Sequence, residues 1–223
     1  MTDGVGDEPA PADDVPADDV PAEDALPADA PPVDGRTARA QRTRDAIVGA
    51  CVALVDAGDY RPTAPRIAEE AGVSVRSVFQ HFDDLETLFG MVAERALGNL
   101  AGLIKAIDPD LPFDERVQTF VVQRALLLEA VTPIRRAAAV HAPFSPGIQA
   151  RVASGHEFFR AEVAAVFGHE LDADPRDRDL VIAMLDVAAS WTSWEQLRTL
   201  DGHDVDGARE VLAALLHAIL GPR

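Results

Sequence analysis

The chain has 223 residues and a formal net charge of −18, with 48% apolar and 5% aromatic residues. That length holds one substantial domain or two small ones, and the apolar share supports a real core. One cysteine, Cys51, excludes a disulfide framework and a cysteine-based zinc site within the chain, and it fits a reducing cytoplasm.

The charge is unevenly spread. Residues 1–35 carry eleven Asp and Glu and no Lys or Arg, which leaves a formal net charge of −7 for residues 36–223. This stretch repeats itself as "PADDV" at 11–15 and 16–20, "PAEDA" at 21–25 and "PADA" at 27–30. High charge, frequent proline and few bulky apolar residues cannot repay the entropy of ordering, so a disordered tail is expected. It reads either as a solubilising tail or as an acidic arm that competes with an anion for the chain's own arginines. An acidic, proline-rich start is the reverse of a secretory signal. The longest apolar run, Val211 to Leu220, is about half the ~20 residues that span a bilayer. The expectation is a cytoplasmic protein with no membrane partner.

The sign flips at "RTARAQRTR", with Arg36, Arg39, Arg42 and Arg44 within nine residues. A helix follows, its apolar stripe formed by Ile47, Ala50, Cys51 and Leu54. Cys51 on that stripe predicts a buried thiol. "DAGDYRP" then breaks the helix.

Thr63 to Phe82 reads "TAPRIAEEAGVSVRSVFQHF" and predicts two short helices at a tight turn. Thr63 suits an N-cap and Pro65 a first helical turn. Ile67, Ala68 and Ala71 face inward, Gly72 supplies the turn, and Ser74 caps the second helix. Val78 and Phe82, four apart, pack back on the core. That leaves Val75, Arg76, Ser77, Phe79, Gln80 and His81 on or near the outer surface. Such a face suits the major groove of DNA, where Arg pairs with guanine, Gln with adenine, and small apolar groups meet the thymine methyl. The helix starts at Thr63 and Ser74 offer N–H groups to phosphates. Periodicity alone also allows a structural corner whose polar residues are merely solvated.

From Asp84 the pattern is helical almost to the end. Asp83 with Glu86 predicts a capping box. The helix it opens uses Leu85, Leu88, Phe89, Val92 and Ala96 and continues towards Leu103 and Ile104, until "DPDLP" stops it. A helix over about 114–131 carries Val117, Phe120, Val121 and Leu128. Pro133 and "APFSPG" bracket a short helix. Longer ones are expected over about 147–171, 175–200 and 206–220. No alternating strand pattern occurs, so the predicted fold is all-α.

The leading helix, "RPTAPRIAEEAGVSVRSVFQHFDDLETLF" and the helix after it resemble the N-terminal domain of the TetR family of transcriptional repressors, closely over about residues 40–97. The later helices resemble that family only in number, length and order. The resemblance implies a helix-turn-helix DNA-binding domain over 36–97, after the 1–35 tail. A larger helical domain for ligand binding and dimerisation follows over 98–223. It implies a homodimer on a palindromic double-stranded DNA operator, with two recognition helices about 34–36 Å apart. An unidentified small-molecule inducer would release it.

The DNA-facing residues so implied are Arg39, Arg42, Arg44, Thr63, Arg66, Ser74, Val75, Arg76, Ser77, Phe79, Gln80 and His81. Two positions depart from the family pattern. The usual tyrosine is Phe79, which has no hydroxyl for a phosphate, and the usual lysine that opens the next helix is Leu85. The arginines from Arg36 to Arg44 are candidates to replace those contacts.

Candidate pocket residues are Phe120, Arg124, His141, His156, Phe159 and Trp191, chiefly polar or aromatic groups in register with apolar stripes. For Arg124 a buried ion pair or an exposed stripe edge competes with a ligand contact. For His156 a satisfied core residue competes, and Trp191 and Trp194 equally suit a core or interface. The segment 180–200 is apolar nearly all round, which suits burial on more than one side. With the last helix it yields candidate dimer residues Met184, Leu185, Ala188, Val211, Leu212, Leu215 and Ile219.

The histidines are scattered, with no nucleophile–base or metal-ligand spacing, so no catalytic residue, metal or cofactor is expected. A second reading keeps the fold but makes the chain an interaction protein with weak or lost operator binding.

Overall fold

The computed structural model describes residues 35–100 and 102–221. The expectation of a disordered acidic tail falls outside the described residues. Ten α-helices follow one another: α1 Gly35–Asp56, α2 Ala64–Glu70, α3 Val75–His81, α4 Leu85–Leu100, α5 Phe113–His141, α6 Pro146–Val166, α7 Gly168–Ala173, α8 Arg178–Ala188, α9 Trp191–Glu195 and α10 Val205–Leu220. No strand occurs among the described residues.

The α2–α3 junction follows from its sequence. Thr63 N-caps α2, although its side chain makes no capping hydrogen bond. Past α2, Gly72 takes φ +65°, the left-handed region that favours glycine. Its N–H reaches the carbonyl of Glu69 at 3.1 Å, and that of Val73 reaches Ala68 at 2.9 Å. This paired closure of a helix end satisfies two orphan carbonyls and turns the chain sharply. Ser74 then caps α3, its hydroxyl accepting from the Ser77 N–H at 3.1 Å.

Two main clusters of buried side chains form the core. The first gathers Ile47, Cys51, Ile67, Val78, Phe82, Leu88 and Phe89 from α1 to α4, with Ile148 of α6 inserted among them. The Cys51 thiol is fully buried there, and burial pushes its pKa up to about 12, so it stays a protonated, inert thiol. The second cluster joins α5, α6, α8 and α10 through Phe120, Val163, Phe167, Leu185 and Leu212. Arg116, buried at the edge of that half, pairs with Glu170.

Four local expectations are corrected. The cap of α4 is Asp84, whose carboxylate accepts the Thr87 N–H at 2.7 Å; Glu86 instead accepts the Ser145 hydroxyl at 2.5 Å. Pro133 does not end a helix, because α5 runs through it to His141. The proline removes only the N–H that would reach Glu129. Tertiary bonds on both sides hold the helix: Thr132 to the Trp191 indole at 3.2 Å, and Arg136 to Glu195 at 2.9 Å. The expected helix over 147–171 breaks at Phe167, between α6 and α7. That over 175–200 breaks at Ala189–Ser190, where Ser190 caps α9 by accepting from the Ser193 N–H at 3.1 Å.

Candidate nucleic-acid interface and effector cavity

The outer face of α3 is built from inside. Val78 and Phe82 are 0% and 2% exposed and fasten the helix to α1 and α4. Anchoring them turns Val75, Arg76, Phe79 and Gln80 outward together, since positions i, i+1, i+4 and i+5 share one side of a helix. The Phe79 ring is 51% exposed and Val75 39%. Arg76 and Gln80 are exposed and have no hydrogen bond or ion pair to a described residue. Ser77 and His81 are half-buried at the flanks. Two neighbouring helix starts, capped at Thr63 and Ser74, open near this face.

The arginines around it play different parts. Arg39 and Arg42 are exposed in the first turns of α1, which begins at Gly35, so the basic stretch is helical rather than a lead-in to the helix. Arg66 meets Glu69 at 3.5 Å in an exposed pair of little energetic weight. Arg44, expected at DNA, is instead turned inward. Its guanidinium donates to the His81 carbonyl at 2.6 Å and to Met91 Sδ at 3.0 Å, and it lies 4.5 Å over the Phe82 ring. Arg44 thus ties α1 to the C-terminal end of α3 and to α4. Its charge sits at a helix C-terminus, where a cation is favoured.

A cavity of about 240 Å³ lies between α4, α5, α6 and the α8–α9 junction. Arg124, His141, His156, Phe159 and Trp191 line it, as expected from sequence. Phe120 does not; its ring packs edge-on against Phe167 in the core, 5.2 Å between centroids. Sequence reasoning missed Phe89, Ile134, Arg135 and Arg151 on the wall. Arg135 was hidden by reading Pro133 as a helix boundary. Phe89 and Arg151 were hidden because only packing reveals which side of α4 meets α6.

The Arg124 guanidinium is stacked between the Phe120 and Phe159 rings at 4.7 and 4.6 Å, and it bonds Glu162 at 2.9 Å. Burial pushes its pKa down, and Glu162 and Asp186 partly offset that. His156 lies 3.3 Å from Asp186, which also meets Arg160 at 3.6 Å. His141 stacks on Phe89, 4.3 Å between centroids. Burial pushes its pKa below the ordinary 6.5, opposed by a hydrogen bond to the Tyr60 backbone. The ring is therefore uncharged at neutral pH.

The cavity touches the DNA-binding half directly. Phe89 stands in both the cavity wall and the α1–α4 core. Glu86 and Glu94 tie α4 to Ser145 and to Arg151 of α6. Arg136 of α5 meets the Tyr60 hydroxyl, before α2, at 3.1 Å.

The expected dimer residues divide. Leu185 and Leu212 are 0% and 1% exposed and belong to the core of their own subunit, so they cannot meet a partner. Met184 and Leu215 are exposed, beside Val187 and Leu180, and a shallow apolar groove runs between α8 and α10 with Ala188 and Ile219. Val211 is half-buried.

No protein-family model matches the chain, and no curated protein matches it in sequence. Solved structures match its fold. A TetR transcription regulator from Haloarcula marismortui is 20% identical, with 81% of this chain and 99% of that one covered and a TM-score of 0.60. A protein from Saccharomonospora viridis described as a transcriptional regulator, in complex with choline, is 17% identical over 82% and 100%, with a TM-score of 0.65. The multidrug binding protein EbrR complexed with imidazole is 22% identical over 79% and 94%, with a TM-score of 0.53. The chain thus has the all-α fold of TetR-family transcriptional regulators. Among the described residues no helix is long and apolar enough to cross a membrane.

Proposed function

We propose that the chain is a TetR-family DNA-binding regulator, a dimeric repressor whose operator affinity falls when a small molecule fills the cavity. The observation that carries this reading is the α3 face, where unpaired Arg76 and Gln80 stand with Val75 and Phe79 on a helix locked from behind by Val78, Phe82 and Arg44. Such a face offers donors and apolar contact to base edges without reorganising.

Electrostatics must be local. Residues 36–97 hold eight Arg against nine Asp and Glu, so the half that meets DNA is not basic as a whole. Attraction rests on Arg39, Arg42, Arg66 and Arg76 and on the helix starts at Thr63 and Ser74. Because Phe79 has no hydroxyl and Leu85 no charge, Arg39 and Arg42 take over backbone contacts. Replacing either by alanine is expected to lower the slope of log affinity against log salt by about 0.9. Unchanged slopes in both variants would remove them from the interface.

Dimerisation uses the exposed apolar strip of Leu180, Met184, Val187 and Leu215. The solved structures with choline and imidazole support a small-molecule role for the cavity. Ligand acts by binding one of two conformations better than the other. The route is short, because Phe89 and the α4 ion pair with Arg151 stand between cavity and recognition helix.

A second reading, an interaction protein without an operator, draws on Phe79 and Leu85. Selection of bound DNA from a random pool separates the two. A repressor enriches a two-fold symmetric site with half-sites about one helical turn apart. Failure to enrich any sequence at low salt favours the second reading.

A further inference from the structure

Each charge on the cavity wall but one is matched. Arg124 pairs with Glu162, Arg151 with Glu94, and Asp186 with His156 and Arg160. Arg135 has no carboxylate partner and no hydrogen bond among the described residues, and its Nε is buried. Its guanidinium lies 5.0 Å over the Trp191 ring, and that indole is pinned by donating to Thr132 at 3.2 Å. Stacking occupies the face of the guanidinium and leaves its N–H edge free. An unpaired buried cation is costly to keep, so the position asks for an anion. Burial alone pulls the Arg135 pKa down, with no acid to offset it.

We propose that the effector is an organic acid, its carboxylate held by the N–H edge of Arg135 and its apolar body lying along Ile134, Phe159, Val152 and Phe89. The inference rests on reading the cavity as the effector site and names the chemical class it takes. The walls supply no second unmatched cation, since His141 is uncharged at neutral pH. One acid group on a body of aliphatic or aromatic carbon therefore suits the cavity better than a cation or a polyanion. A fork of N–H donors facing a planar carboxylate also gives geometric selectivity that a point charge lacks.

Titration calorimetry on the full-length protein without DNA tests this with a matched series: 4-phenylbutyrate, nonanoate, 4-phenylbutanol and 4-phenylbutylamine. At least one carboxylate is expected to bind about ten-fold or more tightly than the alcohol and the amine, in line with a hydrogen bond to a charged group. Arg135→Gln should remove that preference while leaving the alcohol's affinity within about two-fold. Arg135→Lys keeps the charge and loses the fork, and it should fall between. If Arg135→Gln does not fold, the head-group ranking on the native protein and the lysine variant still decide. Equal affinity for alcohol, amine and acid, no binding by either acid, or an acid preference that survives Arg135→Gln overturns the inference. A second measurement, release of selected DNA by the bound acid, separates the two readings. Binding without release sinks the effector role and leaves the acid site standing. A protein that holds its DNA but binds neither acid sinks the acid site alone.

Discussion

Alanine at both Arg76 and Gln80 is expected to reduce binding of the selected DNA to the level of random sequence, while the melting temperature stays nearly unchanged. Both side chains are exposed on α3 and neither supports the fold. Exposed substitutions of that kind usually shift stability by no more than about 0.5 kcal/mol. A bidentate contact to a base pair carries about 1–3 kcal/mol of discrimination. Two such contacts in each of two half-sites total about 4–12 kcal/mol, which spans the ~4–10 kcal/mol that separates specific from non-specific binding. The single variants should relax preference at different base positions, guanine for Arg76 and adenine for Gln80. Gel shifts at fixed salt measure both effects. An affinity for the selected site that survives the double substitution would show that α3 does not read bases.

The second large effect is on stability. Arg124→Ala is expected to destabilise the protein by about 3–5 kcal/mol, because it strands a buried carboxylate. The Glu162 side chain is 14% exposed against 1% for Arg124, and its other oxygen takes only the Gln123 amide at 3.1 Å. For a chain of this size that corresponds to a fall in Tm of roughly 6–20 °C. Replacing both partners, as Arg124→Met with Glu162→Leu, removes the stranded charge and should recover most of the loss. Thermal melts of the single and double variants decide the matter. A single variant that melts like the native protein would mean the pair is solvated and Arg124 is available to ligand after all. The distinction bears on the cavity: Arg124 is already neutralised and shapes the wall, whereas Arg135 is the group left to recognise an anion.

The all-α class and the two short helices were legible in sequence because their signals are local. Thr63, Pro65, Gly72 and Ser74 act within a turn or two of where they sit, and Val78 with Phe82 announces its buried side by spacing alone. The outward set on α3 follows from that anchor. The C-terminal half was less legible. Its apolar residues occur on several sides of each helix, so periodicity told that α8 is apolar all round but not which side each residue faces. Leu185 and Leu212 went to the subunit's own core, while Met184, Val187 and Leu215 stayed outside. Pro133 is the clearest override: a local breaker was outweighed by hydrogen bonds from α9 and the turn after it, to residues about sixty positions away.

The sequence by itself therefore determined the helical class, the helix-turn-helix and the residues α3 turns outward, since each depends on φ/ψ preference, capping and spacing over a few residues. Tertiary structure alone decided the use of the arginines. Arg39, Arg44, Arg124 and Arg135 look alike as letters. One is exposed in α1, one ties the recognition helix from behind, one is neutralised in the core, and one is left unpaired against a tryptophan. The difference is the distance to a carboxylate, a carbonyl or a ring on another helix. That distance is set when the helices pack.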